Sequence, residues 1–212
     1  MSRLSEIELG ALTVVADEIR EVFAASDAAL ERGLNSSAFS FNSAIGQCES
    51  CRGAGFEKIE MQFLSDVFIR CSVCDGRRYR QHILDVKLDG PKGVSWSISD
   101  LLEAPVENAV DFLRAFPTSK AAQRSALSLQ LLVDVGLGYL RCGQPINTLS
   151  GGESQRLKLV SHLASWASAD RKRTSAGKPT LFLFDEPTSS LDSKATNELI
   201  KTVTIYFLYC LS

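Results

Sequence analysis

Apolar residues Val15, Ile19, Val22 and Phe23 recur at helical spacing in an otherwise polar stretch, which predicts a helix over residues 12–32 packed on something larger. Gly33 and Asn35 supply its stop signals. From Cys48 to Cys74 the period changes: Ile59, Met61 and Phe63 alternate, as do Val67 and Ile69, with "LSD" between them, so a β-hairpin is expected. "APVENAVDFLRAFP" reads as a short helix with Pro105 near its first turn and Pro117 closing it. "KAAQRSALSLQLLVDVGLG" reads as another, ended by Gly136 and Gly138. Leu157, Val160, Leu163, Ala164 and Ala167 then form an apolar stripe, and a helix is expected to start just after Gly151 and Gly152. "SADRKRTSAGKP" has the composition of a loop or linker, and "LFLF" at 181–184 that of a parallel strand buried on both faces. There is no repeat of solenoid type.

Composition narrows the function classes only slightly. The chain of 212 residues is 45% hydrophobic, enough for one large domain or a domain carrying a smaller insert. A formal charge of −2 provides no global field for nucleic acid or an anionic membrane, so any nucleic-acid contact must be local. Glu6, Glu8 and Asp17 interrupt the N-terminal apolar residues, and "TIYFLYCL" is far too short to span a bilayer. The expectation is a cytoplasmic protein that makes no membrane contact.

Four of the six cysteines form the pattern Cys48-x2-Cys51, nineteen residues, Cys71-x2-Cys74. A two-residue spacing lets both thiolates of a knuckle face one ion, and the hairpin between brings the second knuckle back beside the first. The pattern reads as a closed structural Zn²⁺ site, with two disulfides or a redox pair as the alternative. Gly53, Gly55 and Gly76 sit where tight turns need positive φ. Cys142 and Cys210 stand alone and read as inert thiols. "CESCRGAGF" also fits one Cys-x2-Cys-x-Gly-x-Gly repeat of DnaJ-type chaperones, but that family has four and "CSVCDGRR" departs from the pattern. Beside the second knuckle lie Arg77, Arg78, Tyr79 and Arg80. Guanidinium forks suit DNA phosphates and an aromatic ring suits an exposed base; the other reading is a solvated rim with Tyr79 packed on the hairpin.

"LSGGESQR", residues 149–156, sets Ser150, Gly151 and Gly152 at the start of a helix, where free amides and the positive end of the helix dipole can meet a phosphate. Taken alone, the stretch is equally a capped helix with a glycine turn. "LFLFDEP" adds two carboxylates at the tip of a buried strand: Asp185 positioned to hold Mg²⁺ through water, and Glu186 to take a proton from the attacking water.

These motifs resemble those of the ATP-binding cassette (ABC) ATPases, through "LSGGE" and "LFLFDEPTSSLD". More closely, "FSFNSAIGQCESCRGAGFEKIEMQFLSDVFIRCSVCDGRRY" and "LLVDVGLGYLRCGQPINTLSGGESQRLKL" are similar to the C-terminal half of the UvrA family, over most of residues 13–203. The resemblance implies ATP-dependent recognition of damaged double-stranded DNA and delivery of the lesion to UvrB and UvrC partners. It matches Cys48, Cys51, Cys71 and Cys74 to zinc ligands, and Ser150, Gly151 and Gly152 to the signature facing an ATP held by a second ABC domain or a homodimer partner. Asp185 matches the Mg²⁺ carboxylate, Glu186 the catalytic glutamate, and Asp192 falls in the nucleotide-facing stretch that follows.

The implied fold is an α/β, incomplete ABC-type P-loop NTPase domain with an inserted zinc-binding β-hairpin module and a helical signature subdomain. Its expected parts are an N-terminal helical part at 1–45, the four-cysteine zinc module at 46–82, the signature subdomain at 83–148, and a truncated remainder at 149–212. Ser190-Leu191-Asp192 stands where UvrA proteins usually read Gly-Leu-His, and the basic loop at 168–178 is long for the family. No G-x-x-x-x-G-K-[ST] occurs, and neither His82 nor His162 fits the family's histidine switch. Two other readings therefore stand beside the repair ATPase: a UvrA-like paralogue with another role such as drug resistance, and a zinc-bearing interaction module with inert ATPase motifs.

Overall fold

A computed structural model of the protein describes residues 16–60, 67–144, 148–169, 196–197 and 200–201, the side chains at 92 and 162–169 excepted. The architecture is mixed α/β, with its described strands in two antiparallel hairpins. The segment "LFLF" lies outside the described residues. Two compact units emerge: one comprises Ala16–Glu103 and Phe112–Gln123, and the described part of the other comprises Ala104–Asp111 with residues from Arg124 onward.

In the first unit the helix expected over 12–32 is two helices, α1 at 16–24 and α2 at Asp27–Glu31. Ser26 breaks it, because its hydroxyl donates to the Phe23 carbonyl at 2.7 Å and accepts from the Ala29 amide, so a short polar side chain replaces the helical ladder. Ile19, Val22 and Phe23 are buried as their spacing predicts. Gly33 ends α2 at φ +64, with the paired bonds of Leu34 to Ala29 and Gly33 to Leu30 that close a Schellman turn. A 3₁₀ turn at Ser36–Phe39 then buries Phe39 against Phe23, ring centroids 5.7 Å apart.

The expected hairpin is present: β1 (Phe56–Ile59) pairs antiparallel with β2 (Val67–Arg70), Phe56 opposite Arg70 and Ile59 opposite Val67. Met61–Asp66 lie outside the described residues. Both faces of the ladder are exposed, so the alternating apolar residues mark no buried face. After α3 (Gln81–Leu84) comes a second hairpin, β3 (Lys87–Asp89) with β4 (Ser95–Ser97), in a region where the sequence predicts only helices. Three-residue strands are too short to display a period of two. Trp96 stacks on Phe112 at 4.4 Å, and that ring lies so close to Gly90 that any Cβ there would sit 2.3 Å from it. The unit continues into α4 (Ile98–Glu103).

The second unit takes the first part of α5 (Val106–Arg114), most of α6 (Lys120–Asp134) and α7 (Gly151–Ala169). Ala109, Val110, Leu129, Leu132, Leu137, Leu157, Leu159 and Val160 are buried. α7 includes both glycines rather than starting after them, and it runs through Ser168 and Ala169 of the expected loop. α6 ends as predicted, in a Schellman turn: Gly136 at φ +76 donates to Val133, and Leu137 to Leu132. Gly136→Ala is expected to cost about 1 kcal/mol, because a Cβ disfavours the left-handed conformation, and to lower Tm by about 2–4 °C in a thermal melt.

Candidate metal centre and helix terminus

Each Cys-x2-Cys knuckle is followed by the same backbone turn. Arg52 and Gly53 adopt φ +51 and +82 after Cys51; Asp75 and Gly76 adopt φ +48 and +76 after Cys74. A Cβ on Gly53 would lie 1.9 Å from the Phe41 carbonyl oxygen, so close approach as well as φ demands glycine there. The Gly55 amide donates to Cys51 Sγ at 3.2 Å, and the Gly55 carbonyl accepts from the Cys71 amide. An isolated bridge, Gln47 to Tyr79, ties the start of the module to its end.

These turns bring the four sulfurs within 4.8 Å of one another. Cys48, Cys71 and Cys74 are buried and Cys51 is half-buried. Cys48 and Cys71 are 4.0 Å apart, and Cys51 and Cys74 3.6 Å. A tetrahedral ion with metal–sulfur bonds of ~2.3 Å puts its sulfurs about 3.8 Å apart, whereas a disulfide needs ~2.05 Å. The cluster therefore fits a tetrathiolate metal and not two disulfides. Amides of Cys74 and Val73 lower the Cys71 thiol to about 7, with burial opposing them. Burial pushes Cys74 up to about 12 and raises Cys51. Cys71 offers a thiolate near neutrality, and Cys51 and Cys74 gain their charge only when a cation compensates it. Four thiolates fill a tetrahedral shell, leaving no position for a substrate.

The neighbouring arginine cluster is mostly turned inward. Tyr79 is 2% exposed; its hydroxyl donates to the Phe39 carbonyl, its ring meets the edge of Phe41, and burial pushes its pKa up. It packs on the 39–41 segment rather than on the hairpin, and it presents no face to a base. Arg80 donates to the carbonyls of Gln47 and Ala44 and pairs with Glu49 at 3.0 Å. The Arg78 guanidinium lies 5.0 Å over the Phe41 ring, and of the four residues Arg77 alone is exposed.

At the start of α7, Ser150 and Glu153 form a reciprocal capping box. The Ser150 amide donates to Glu153 Oε2 at 2.6 Å, and the Glu153 amide donates to Ser150 Oγ at 3.3 Å. The Ser154 amide takes the Ser150 carbonyl as the first helical bond. Gly151 and Gly152 thus hold the two leading amides that no helical carbonyl can reach, and space beside Gly151 is open. The Tyr139 hydroxyl donates to Glu153 Oε1. That bond and the Ser150 amide hold the Glu153 carboxyl below its ordinary pKa; burial and Glu153 raise that of Tyr139. Arg156, 3% exposed, lies near both, its Nε and Nη1 without a partner. The structure groups Ser150, Gly151 and Gly152 at one helix end; Asp185, Glu186 and Asp192 lie outside the described residues. Glu153, Tyr139 and Arg156 are additions to the sequence-predicted set, and the Ser-x-x-Glu spacing at 150–153 is the signal that carries the first.

The chain is homologous to a segment of UvrABC system protein A. It is 44% identical to the Clostridium tetani protein over 191 residues, 90% of this chain and 18% of that one. With the Thermus thermophilus and Bacillus subtilis proteins it shares 46% identity over 179 residues, 84% of this chain and 17% of each relative. The chain thus spans under a fifth of the length of these relatives. The crystal structure of UvrA2 from Deinococcus radiodurans superposes with a TM-score of 0.71 at 36% identity, over 94% of this chain and 22% of that one. No protein-family profile matches the chain.

A metal assay on the purified chain is expected to find about one equivalent of zinc, largely lost in Cys71→Ser. Because protons compete for the thiolates, affinity falls as pH drops through about 7, where Cys71 protonates. Each thiol that must lose a proton steepens that fall by about tenfold per pH unit, measurable with a competing chelator.

Proposed function

We propose that this chain, a relative of UvrABC system protein A along nearly all its length, forms part of a UvrA-type subunit that recognises damaged duplex DNA in an ATP-dependent manner. The observation that carries the reading is the 44% identity over 90% of the chain. A tetrathiolate module joined in one chain to a serine-capped, glycine-led helix supports it further.

Zn²⁺ in the Cys48, Cys51, Cys71 and Cys74 cluster supplies cross-linking, not catalysis. Ser150 and the Gly151 and Gly152 amides face the terminal phosphate of an ATP held by a second ABC domain or a homodimer partner. The helix dipole adds ~0.3–1 kcal/mol of attraction for that anion. Ser150 Oγ accepts from Glu153 and still has its proton to donate. By the family resemblance Asp185 would hold Mg²⁺, Glu186 would take the proton of the attacking water, and Asp192 would belong to the same nucleotide site. Of Arg77, Arg78, Tyr79 and Arg80, the exposed Arg77 is the one offered to a DNA phosphate, while Tyr79 and Arg80 hold the module together. UvrB is the expected receiver of the lesion. No helix among the described residues is long and apolar enough to cross a membrane.

A paralogue reading, with a role such as drug resistance, draws on Asp192 in "SSLD" and on the likeness to UvrA2. Binding of the purified chain to damaged and intact duplex, measured at several salt concentrations, separates the two. Tighter binding to the damaged duplex, retained as salt rises, is expected of the repair reading; equal, weak binding counts against it. The chain alone is expected not to turn over ATP, since its 212 residues contain no G-x-x-x-x-G-K-[ST]. Steady-state hydrolysis abolished by Glu186→Gln would overturn that expectation.

A further inference from the structure

We propose that Tyr139 is the positioning residue of the first turn of α7, its hydroxyl holding the Glu153 carboxylate where it grips the Ser150 amide. The phosphate-facing role of that turn rests on the reading above; the positioning itself rests only on geometry.

Tyr139 is fixed in place by its own backbone neighbours. The carbonyls of Gly138 and Leu140, on either side of it, accept the Glu107 and Val106 amides at the start of α5, at 3.1 and 2.8 Å. The Schellman bonds of Gly136 and Leu137 anchor the same turn to α6. Tyr139 therefore projects from a segment held at two helix ends. Tyr139 is 58% exposed, so it contributes little core packing, and its hydroxyl donates to Glu153 Oε1. The other oxygen of that carboxylate takes the Ser150 amide at 2.6 Å. Arg156 contributes a buried positive charge on the same helix, one turn on from Glu153, and favours the ionised carboxylate.

The covalent route from Tyr139 to Ser150 runs through ten intervening residues, whereas the hydrogen-bonded route has two links. A solvated glutamate at this helical position can swing into water. One held by a phenol and an amide cannot do so without losing two charge-assisted bonds. The direction in which the Gly151 and Gly152 amides point is thereby tied to the 136–142 turn.

The test is Tyr139→Phe in the full chain, which removes one hydroxyl at an exposed ring. Three quantities are read: amide hydrogen exchange at Ser150 and Glu153, the Glu153 carboxyl pKa by carbon NMR, and the shifts of the Gly151 and Gly152 amides on titration with inorganic pyrophosphate. Exchange at both amides is expected to quicken by about threefold to tenfold, the range a lost cap produces. The Glu153 pKa should rise toward its ordinary value, and pyrophosphate affinity should fall by a similar factor. Glu153→Gln, which retains the side-chain length, should quicken exchange at Ser150 without needing any change at Tyr139. Unchanged exchange and an unchanged Glu153 pKa in Tyr139→Phe would overturn the proposal. Quickened exchange in a chain whose wild-type glycine amides ignore pyrophosphate would support the positioning role and sink the phosphate-facing one.

Discussion

A helix leaves its first amides and last carbonyls without partners, and the turn at residues 136–142 answers that deficit at three helix ends of the second unit. It closes α6 through the left-handed Gly136, supplies the carbonyls of Gly138 and Leu140 to the first amides of α5, and reaches α7 through Tyr139 and Glu153. Three elements distant in sequence are thus located against one short segment. Little of this depends on burial alone: Leu137 and Leu140 are buried, but the residue that reaches α7 is largely exposed. The geometry of the unit follows from hydrogen-bond satisfaction as much as from apolar packing.

The four-cysteine module faces the opposite problem. Its hairpin is exposed on both faces, and Phe56 meets Phe68 across the ladder edge to face, ring centroids 5.1 Å apart. A two-stranded hairpin without a buried face is marginal in water. What remains to order the module is the sulfur cluster, the paired left-handed turns and the anchoring of Tyr79 and Arg80 to the 39–47 segment. A metal bound there would contribute its binding energy to folding, and the raised thiols of Cys51 and Cys74 identify where the apo module would carry unfavourable charge.

Legibility in the sequence followed the range of each interaction. The four-cysteine cluster, the presence of the β1–β2 hairpin and the glycine end of α6 are local patterns, and each could be read from spacing alone. The break at Ser26 was missed because the apolar period runs on through it, while the hydroxyl's competing bonds leave no trace in that period. β3 and β4 were missed for their length. "RRYR" left a nucleic-acid surface and a packed rim both open because composition does not distinguish a guanidinium facing solvent from one donating to Gln47 and Ala44, or a tyrosine facing a base from one donating to Phe39. Such partners lie about 33 to 40 residues away in sequence, and no window reaches them.

The serine-glycine turn first admits two readings, a capped helix or an anion site, and the structure makes them compatible. A capping box needs only the Ser150 and Glu153 amides; the first helical bond uses Ser154. That leaves the amides of Gly151 and Gly152, on residues with no side chain to obstruct an approach, with open space beside Gly151. Had Glu153 instead taken the glycine amides, its carboxylate would occupy the place an incoming anion needs, and its charge would repel one. Because Tyr139 and the Ser150 amide hold it elsewhere, the acid that stabilises the helix start does not compete with an anion for the two free donors.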